Sequence, residues 1–168
     1  MVSAVVKLCV LLVFVAVYAT EVLELSPPPA NEVCLACICQ AKTGCKLDAG
    51  CKVDILQPME QSFQPCGLFQ ITRVYWDDAG KPTINGESPN SPEAFTNCTK
   101  DPHCAALTVK RYMQAFPTDC NSDGVINCYD YMAIHQLGPN GCAEDLPADY
   151  VSVFKQCIAA FAAQGLFQ

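Results

Sequence analysis

Positive charge is scarce in this sequence. Only 10 of the 168 residues are Lys or Arg, against 17 Asp or Glu, and the formal net charge is -7 at pH 7. A nucleic-acid binder needs clustered Lys and Arg to neutralise phosphates, and attraction to an anionic lipid surface needs the same charge. The composition therefore argues against both classes of partner, and we expect the protein to bind neither nucleic acid nor membrane.

Long apolar runs, internal repeats and low-complexity tracts are absent after residue 20. The one long apolar run follows Lys7 and is closed by Glu21 and Glu24. A membrane anchor is the alternative, but a spanning helix needs about 20 apolar residues. The short run with one basic residue before it is typical of a secretory signal. We therefore expect a secreted, extracellular protein with a signal peptide at 1–19, a Pro-rich linker at 20–32, one domain at 33–160 and a tail at 161–168.

Cysteine, in contrast, is abundant, with 13 residues in the chain. Removal of the signal peptide would remove Cys9 and leave an even number. In an oxidising compartment this predicts six disulfides and no free thiol, with the pairing left open. Zinc is the alternative, since Cys34 and Cys37 have a ligand spacing, but such sites need reduced thiols and a second ligand pair.

The pattern of apolar residues and chain breakers predicts helices joined by turns. Asn31 is a candidate cap for a helix over 34–42, and helical spacing recurs over 103–116, 129–137 and 146–163. The Gly, Pro and Cys content of 45–72 favours short strands, and 77–97 is predicted to be a long surface loop. We expect an α+β fold in which helices surround a small cystine-braced β-sheet.

Three motifs occur in a fixed order along the chain. They are Cys34-Leu-Ala-Cys-Ile-Cys39, Cys66-Gly-Leu-Phe-Gln-Ile71 followed by Tyr75-Trp76, and His135 followed by Gly138-Pro-Asn-Gly-Cys142. Together they resemble the invertebrate-type, or destabilase-type, lysozymes. The resemblance implies a lysozyme-like fold with a cleft, no required cofactor, and bacterial cell-wall glycan as partner, cleaved at the β-1,4 bonds of peptidoglycan. Some members of that family are also credited with isopeptidase activity.

Glycoside hydrolysis needs two carboxyl groups, one protonated and one ionised, on either side of the scissile bond. By resemblance, the position of the acid is Lys42 and that of the second carboxylate is Asp54. A lysine ammonium has a pKa near 10.4 and is a poor acid, and loss of acid catalysis costs a factor of about 10²–10⁴ in rate. The resemblance therefore predicts that muramidase activity is reduced or lost.

Other interpretations stay open. A different carboxyl could replace the missing acid, and the candidates are Asp48, Glu60, Asp77 and Asp78. An isopeptidase would need a nucleophile beside a base. The candidates are Ser62 as the nucleophile and His135 as the base. The protein could also be a non-catalytic binder of glycan or protein in immunity or digestion. A third possibility is a protease inhibitor or another disulfide scaffold, but the sequence contains no signal of a reactive loop.

Aromatic residues are candidates for the sugar-binding groove. Tyr75 and Trp76 offer flat apolar faces with polar tips. By resemblance, the groove also includes Tyr112, His135, Pro139 and Asn140. The alternative for Trp76 and Tyr112 is core packing, and for His135 a structural hydrogen-bonding role.

Residues 119–130 match a calcium-binding loop. Oxygen ligands fall at Asp119, Asn121, Asp123, the Val125 carbonyl and Asp130, with Gly124 at the turn position. The match predicts a structural Ca²⁺. The alternative is a turn whose Asp, Asn and Ser side chains bond the backbone, braced by Cys120 and Cys128 within or beside the loop.

Overall fold

The computed structural model describes residues 30–51 and 64–166. The signal peptide, most of the linker, Asp54, Glu60, Ser62 and the last two residues of the tail lie outside the described residues. Within them the chain forms six helices: α1 (Glu32–Thr43), α2 (Arg73–Asp78), α3 (Ala94–Lys100), α4 (Pro102–Ala115), α5 (Cys128–Leu137) and α6 (Ala148–Ala163). In this part of the chain, the helices are too short or too polar to cross a membrane.

Helix α1 is the central element of the core. Its predicted cap is confirmed, because the Asn31 side chain accepts a hydrogen bond of 2.8 Å from the Cys34 amide. Gly44 ends the helix in the left-handed conformation with φ of 67°, which glycine adopts without strain. Helix α1 buries Cys34, Leu35, Cys37, Ile38 and Cys39 and packs against α6 and α5. This packing fixes the direction of its last turn, which carries Lys42.

The other three long helices are also confirmed, at α4, α5 and α6. Asp101 caps α4 and Pro102 occupies its first turn, a position that suits proline because its missing N–H is not needed there. Helix α6 runs to Ala163, across the predicted domain boundary at 160. The two short helices were not predicted: α2 follows the stretch assigned to strands, and most of α3 lies inside the predicted loop.

The predicted β-sheet does not form in residues 30–51 and 64–166. Cys66 instead makes two isolated antiparallel bridges, to Cys51 and to Ile71. The chain reverses tightly between Cys66 and Ile71 through Gly67, whose φ is 70°. A Cβ at Gly67 would lie 1.7 Å from the Thr99 carbonyl oxygen, so the turn packs directly on the end of α3. A turn this tight leaves too few extended residues for a strand.

Six disulfides are present, as the cysteine count predicted. The pairs are Cys34–Cys128, Cys37–Cys157, Cys39–Cys45, Cys51–Cys66, Cys98–Cys104 and Cys120–Cys142. The pairing was left open by the sequence, and the structure resolves it for the two cysteines of loop 119–130, which do not bond to each other. Each bonds outside the loop, and together they tie it to α1 and to the turn after α5.

Candidate functional site: a cleft at the ends of helices α1, α2 and α5

A cleft of about 360 Å³ opens where α1, α2, α4 and α5 meet. The last turn of α1 contributes Lys42, α2 contributes Tyr75 and Asp78, α4 contributes Tyr112, and the end of α5 contributes His135. The cleft thus brings together five residues named from the sequence, four from the predicted site and Asp78 from the candidate replacement acids. Pocket volumes of several hundred Å³ suit a small ligand or a few sugar units.

Lys42 reaches into the cleft from the last turn of α1. Its ammonium donates a hydrogen bond of 2.8 Å to the Gln136 side-chain oxygen and lies 5.6 Å from the centroid of the Tyr150 ring. The position that the resemblance assigns to the catalytic acid therefore holds a cation inside the cleft.

His135 is buried and uses both ring nitrogens. Nε2 lies 2.9 Å from the Phe69 carbonyl oxygen, and because a carbonyl only accepts, Nε2 carries the proton. Nδ1 lies 3.2 Å from the Tyr75 hydroxyl and accepts its hydrogen. Burial lowers the pKa of His135 to about 3, with the charge of Lys42 as the second cause. A neutral imidazole whose lone pair already has a donor is a positioning group rather than a base.

The two tyrosines form a stacked pair on the cleft wall. The ring centroids of Tyr75 and Tyr112 are 3.6 Å apart and the rings are 14° from parallel. Burial raises the pKa of both hydroxyls, and the negative charge of Asp78 adds to the shift at Tyr112. Both tyrosines therefore stay protonated. The Tyr75 hydrogen goes to His135, so Tyr112 is the tyrosine whose hydroxyl can donate to a ligand.

Trp76 lies in the core and not in the cleft. It is fully buried, and its indole N–H donates to the Pro82 carbonyl at 2.8 Å. It matches the core-packing alternative and has no exposed face for a sugar. Pro139 and Asn140 lie in the turn after α5, where the cleft is lined by Gly138.

Four further polar side chains line the cleft and were not among the predicted groove residues: Gln70, Thr72, Asp78 and Gln136. Gln70 belongs to the second motif. Its amide nitrogen donates to the Gly67 carbonyl at 2.7 Å, and its amide oxygen is buried with no hydrogen-bond partner. The motif contained this signal, because a polar residue lies inside an otherwise apolar run. For Gln136 the sequence contains no comparable signal. The structure identifies it as a cleft residue through its hydrogen bond to Lys42.

The structure places the candidate replacement acids in different regions, and only some of them are near the cleft. Asp48 lies in an exposed turn after α1, and Asp77 faces Arg73 and Lys81, each at 3.6 Å. Asp78 is the one carboxylate among the cleft residues that the structure describes. The carboxyl groups that could still replace the missing acid are therefore Asp78 and those of residues between 52 and 63.

The loop predicted to bind calcium is closed by its own hydrogen bonds. Both oxygens of the buried Asp130 carboxylate accept backbone N–H groups, from Cys120 at 2.9 Å and from Asn127 at 2.8 Å. The Asp119 carboxylate accepts from Gly124 at 2.8 Å. Across the two described ranges, no group of three or more His, Cys, Asp or Glu side chains is placed to hold a metal ion. Calcium binding by this loop stays a prediction of the sequence.

The chain is similar to a known protein family and to several characterised proteins. The family model described as Destabilase matches residues 31–157. An invertebrate-type lysozyme from Ruditapes philippinarum is 31% identical over 73% of this chain and 77% of its own length. A lysozyme from Magallana gigas is 35% identical over 67% of this chain and 69% of its own.

Solved structures agree with the sequence relatives. The inhibitor-bound lysozyme from Meretrix lusoria has a TM-score of 0.56 and 26% identity, covering 83% of this chain and 96% of its own. The Tapes japonica lysozyme has a TM-score of 0.54 and 28% identity, covering 78% and 91%. The family model covers most of the chain, so the chain belongs to the Destabilase family of invertebrate-type lysozymes.

Proposed function

We propose that this protein is secreted and binds the β-1,4 glycan of bacterial peptidoglycan in its cleft, and that its muramidase activity is strongly reduced or lost. The observation that carries the proposal is Lys42, a cation held by Gln136 at 2.8 Å within the cleft. Tyr75, Tyr112 and Gln70 supply the aromatic and amide groups that bind sugars. Such a protein requires no cofactor.

The loss of activity follows from the charge at residue 42. A general acid must give a proton to the leaving oxygen, and a lysine ammonium, with a reference pKa of about 10.4, is a poor acid for that step at neutral pH. The transition state is also a cation at the anomeric carbon, so a second positive charge beside it is repulsive. By resemblance the remaining carboxylate is Asp54, which lies outside the described residues.

A second candidate function keeps the cleft but changes the ligand. The solved Meretrix lusoria lysozyme was crystallised with the Aeromonas hydrophila protein PliI, so a related fold binds a protein. A non-catalytic member with an intact cleft could act through protein binding in immunity or digestion.

The proposal is tested with purified, insoluble peptidoglycan between acid and neutral pH. Protein recovered in the pellet measures binding, and the fall in turbidity measures cleavage. We expect recovery in the pellet together with clearing slower than that of the Meretrix lusoria lysozyme by a factor of about 10² or more, the usual loss without an acid. Clearing at a comparable rate would refute the loss of activity, and absence from the pellet would favour a protein ligand.

A further inference from the structure

Helix α3 carries a short sequence that neither the core nor the cleft accounts for. Asn97-Cys98-Thr99 is an Asn-x-Thr acceptor sequence for N-linked glycosylation, and it occurs once in the chain. Its middle residue is Cys rather than Pro, which would prevent modification. Among the described residues that line the cleft, none belongs to α3, so a glycan attached here would lie outside the cleft.

The folded protein presents Asn97 to solvent. Its side chain is exposed, and so are Glu93 and Lys100, which lie about one turn before and after it on the same side of α3. The Asn97 Nδ2 atom donates to the two carboxylate oxygens of Glu87, at 3.2 and 3.3 Å. Attachment of a sugar replaces one of the two amide hydrogens, and the other can still bond to Glu87. The folded structure therefore accommodates a glycan at this position.

The rest of the acceptor sequence is enclosed once the protein has folded. Cys98 and Thr99 are both fully buried, and Cys98 forms the disulfide with Cys104. The Thr99 hydroxyl, which the acceptor sequence requires, donates to the Phe95 carbonyl at 2.9 Å. A transferring enzyme that reads Asn and Thr together therefore has to act before these groups are buried.

We propose that Asn97 carries an N-linked glycan, which is attached before the Cys98–Cys104 disulfide closes. The donor is an oligosaccharide linked to a lipid diphosphate in the secretory pathway. The Asn97 Nδ2 atom forms a bond to the anomeric carbon of this donor and loses one proton. The bond from that carbon to the diphosphate oxygen breaks, and the lipid diphosphate leaves with the electron pair. The proposal rests on the secretion proposed above, because the chain meets this donor inside the secretory pathway.

The test expresses the full chain in a eukaryotic secretory cell line. The intact mass of the protein in the medium is measured before and after treatment with an amidase that removes N-linked glycans. We expect the wild-type protein to lose the mass of one oligosaccharide and Asn97→Gln to lose none. Asn90→Gln is the matched control and should keep the glycan, because Asn90 is also exposed but is followed by Ser91 and Pro92 and is not an acceptor.

Peptide mass spectrometry of the treated wild-type protein locates the site without any variant. The amidase converts a glycosylated Asn to Asp, so the peptide that contains position 97 should carry this change. A secreted wild-type protein that has no glycan would overturn the proposed site and leave the proposed secretion intact.

Cys104→Ser tests the order of events, because it prevents the disulfide and leaves the acceptor sequence intact. If the wild-type protein is partly glycosylated, the glycosylated fraction should rise in this variant. Cys142→Ser opens the Cys120–Cys142 disulfide instead and should keep the wild-type fraction. Complete glycosylation of the wild-type protein would also support the proposed order. A partial fraction that does not rise in Cys104→Ser, or that rises equally in both variants, would overturn it.

A second form of the chain separates this proposal from the proposed secretion. It carries the leader of a protein that the host secretes in place of residues 1–19. Export of this form alone would refute secretion directed by residues 1–19, and the presence or absence of its glycan would still decide the site at Asn97.

Discussion

At the scale of single residues, His135 connects the cleft to the pH dependence of folding. Its pKa is lowered to about 3 in the folded protein, whereas an unfolded chain gives His a pKa near 6.5. Above pH 6.5 both states are neutral at this residue and the stability is fully present. As the pH falls from 6.5 towards 3, only the unfolded state takes up the proton, and the free energy of unfolding decreases by at most about 1.4 kcal/mol per pH unit.

We therefore predict that His135→Gln flattens the loss of stability between pH 6.5 and pH 4. The free energy of unfolding, measured by urea denaturation at several pH values, should fall less steeply in the variant than in the wild-type protein. His103, which is exposed on α4, provides the control, and His103→Gln should keep the wild-type slope. An unchanged slope in the His135 variant would contradict the account.

Individual site residues were predictable to different degrees. Tyr75 and His135 come from separate motifs and Tyr112 from the helix between them. They meet in the cleft because α2, α4 and α5 pack together. Trp76 follows Tyr75 directly, but neighbours on a helix point about 100° apart, so one ring reaches the cleft and the other reaches the core. Sequence alone does not say which of two adjacent aromatic residues is turned inward.

At the scale of elements, helix caps and periodicity located the long helices. Asn31 marks a start that the structure confirms, and α4 begins at Pro102, one residue before the predicted start. The short helices α2 and α3, with six and seven residues, are less than two turns long and leave no apolar period in the sequence. The expected sheet is not shown in the described residues for a related reason: the cysteine- and glycine-rich composition around Cys66 encodes a tight turn as readily as a strand.

Loop 119–130 depends on a single buried carboxylate. Asp130 is 1% exposed and accepts two backbone N–H groups. We predict that Asp130→Asn lowers the free energy of unfolding by about 1–3 kcal/mol, because the amide has one acceptor oxygen and leaves a buried N–H facing another donor. Chemical denaturation of the two proteins at neutral pH measures the difference.

Asp123→Asn is the control for that variant. Asp123 is exposed, so the same chemical change should alter stability by no more than about 0.5 kcal/mol. Equal effects of the two substitutions would contradict the assigned role of Asp130. The calcium prediction has its own test: treatment with a chelator should lower the melting temperature and Ca²⁺ should restore it, and an unchanged melting temperature would contradict that prediction.

At the scale of the whole molecule, two long-range disulfides fix the frame around the cleft. Cys34–Cys128 joins α1 to α5 across 94 residues, and Cys37–Cys157 joins α1 to α6 across 120. They hold the last turn of α1 and the end of α5, which carry Lys42 and His135, in one rigid body. The number of disulfides followed from the even cysteine count, but the pairing did not, because it depends on which helices pack together.

The central claim concerns Lys42: the cleft is intact and lacks only its acid. The most direct test is the rate of peptidoglycan clearing by Lys42→Glu, beside Lys46→Glu as a control of equal charge change at an exposed position. We predict that Lys42→Glu raises the rate by about 10²-fold or more, the contribution of a general acid. The increase should disappear in the double variant Lys42→Glu/Asp54→Asn, while Lys46→Glu stays inactive. Equal clearing by the wild-type protein and the Lys42 variant would contradict the account.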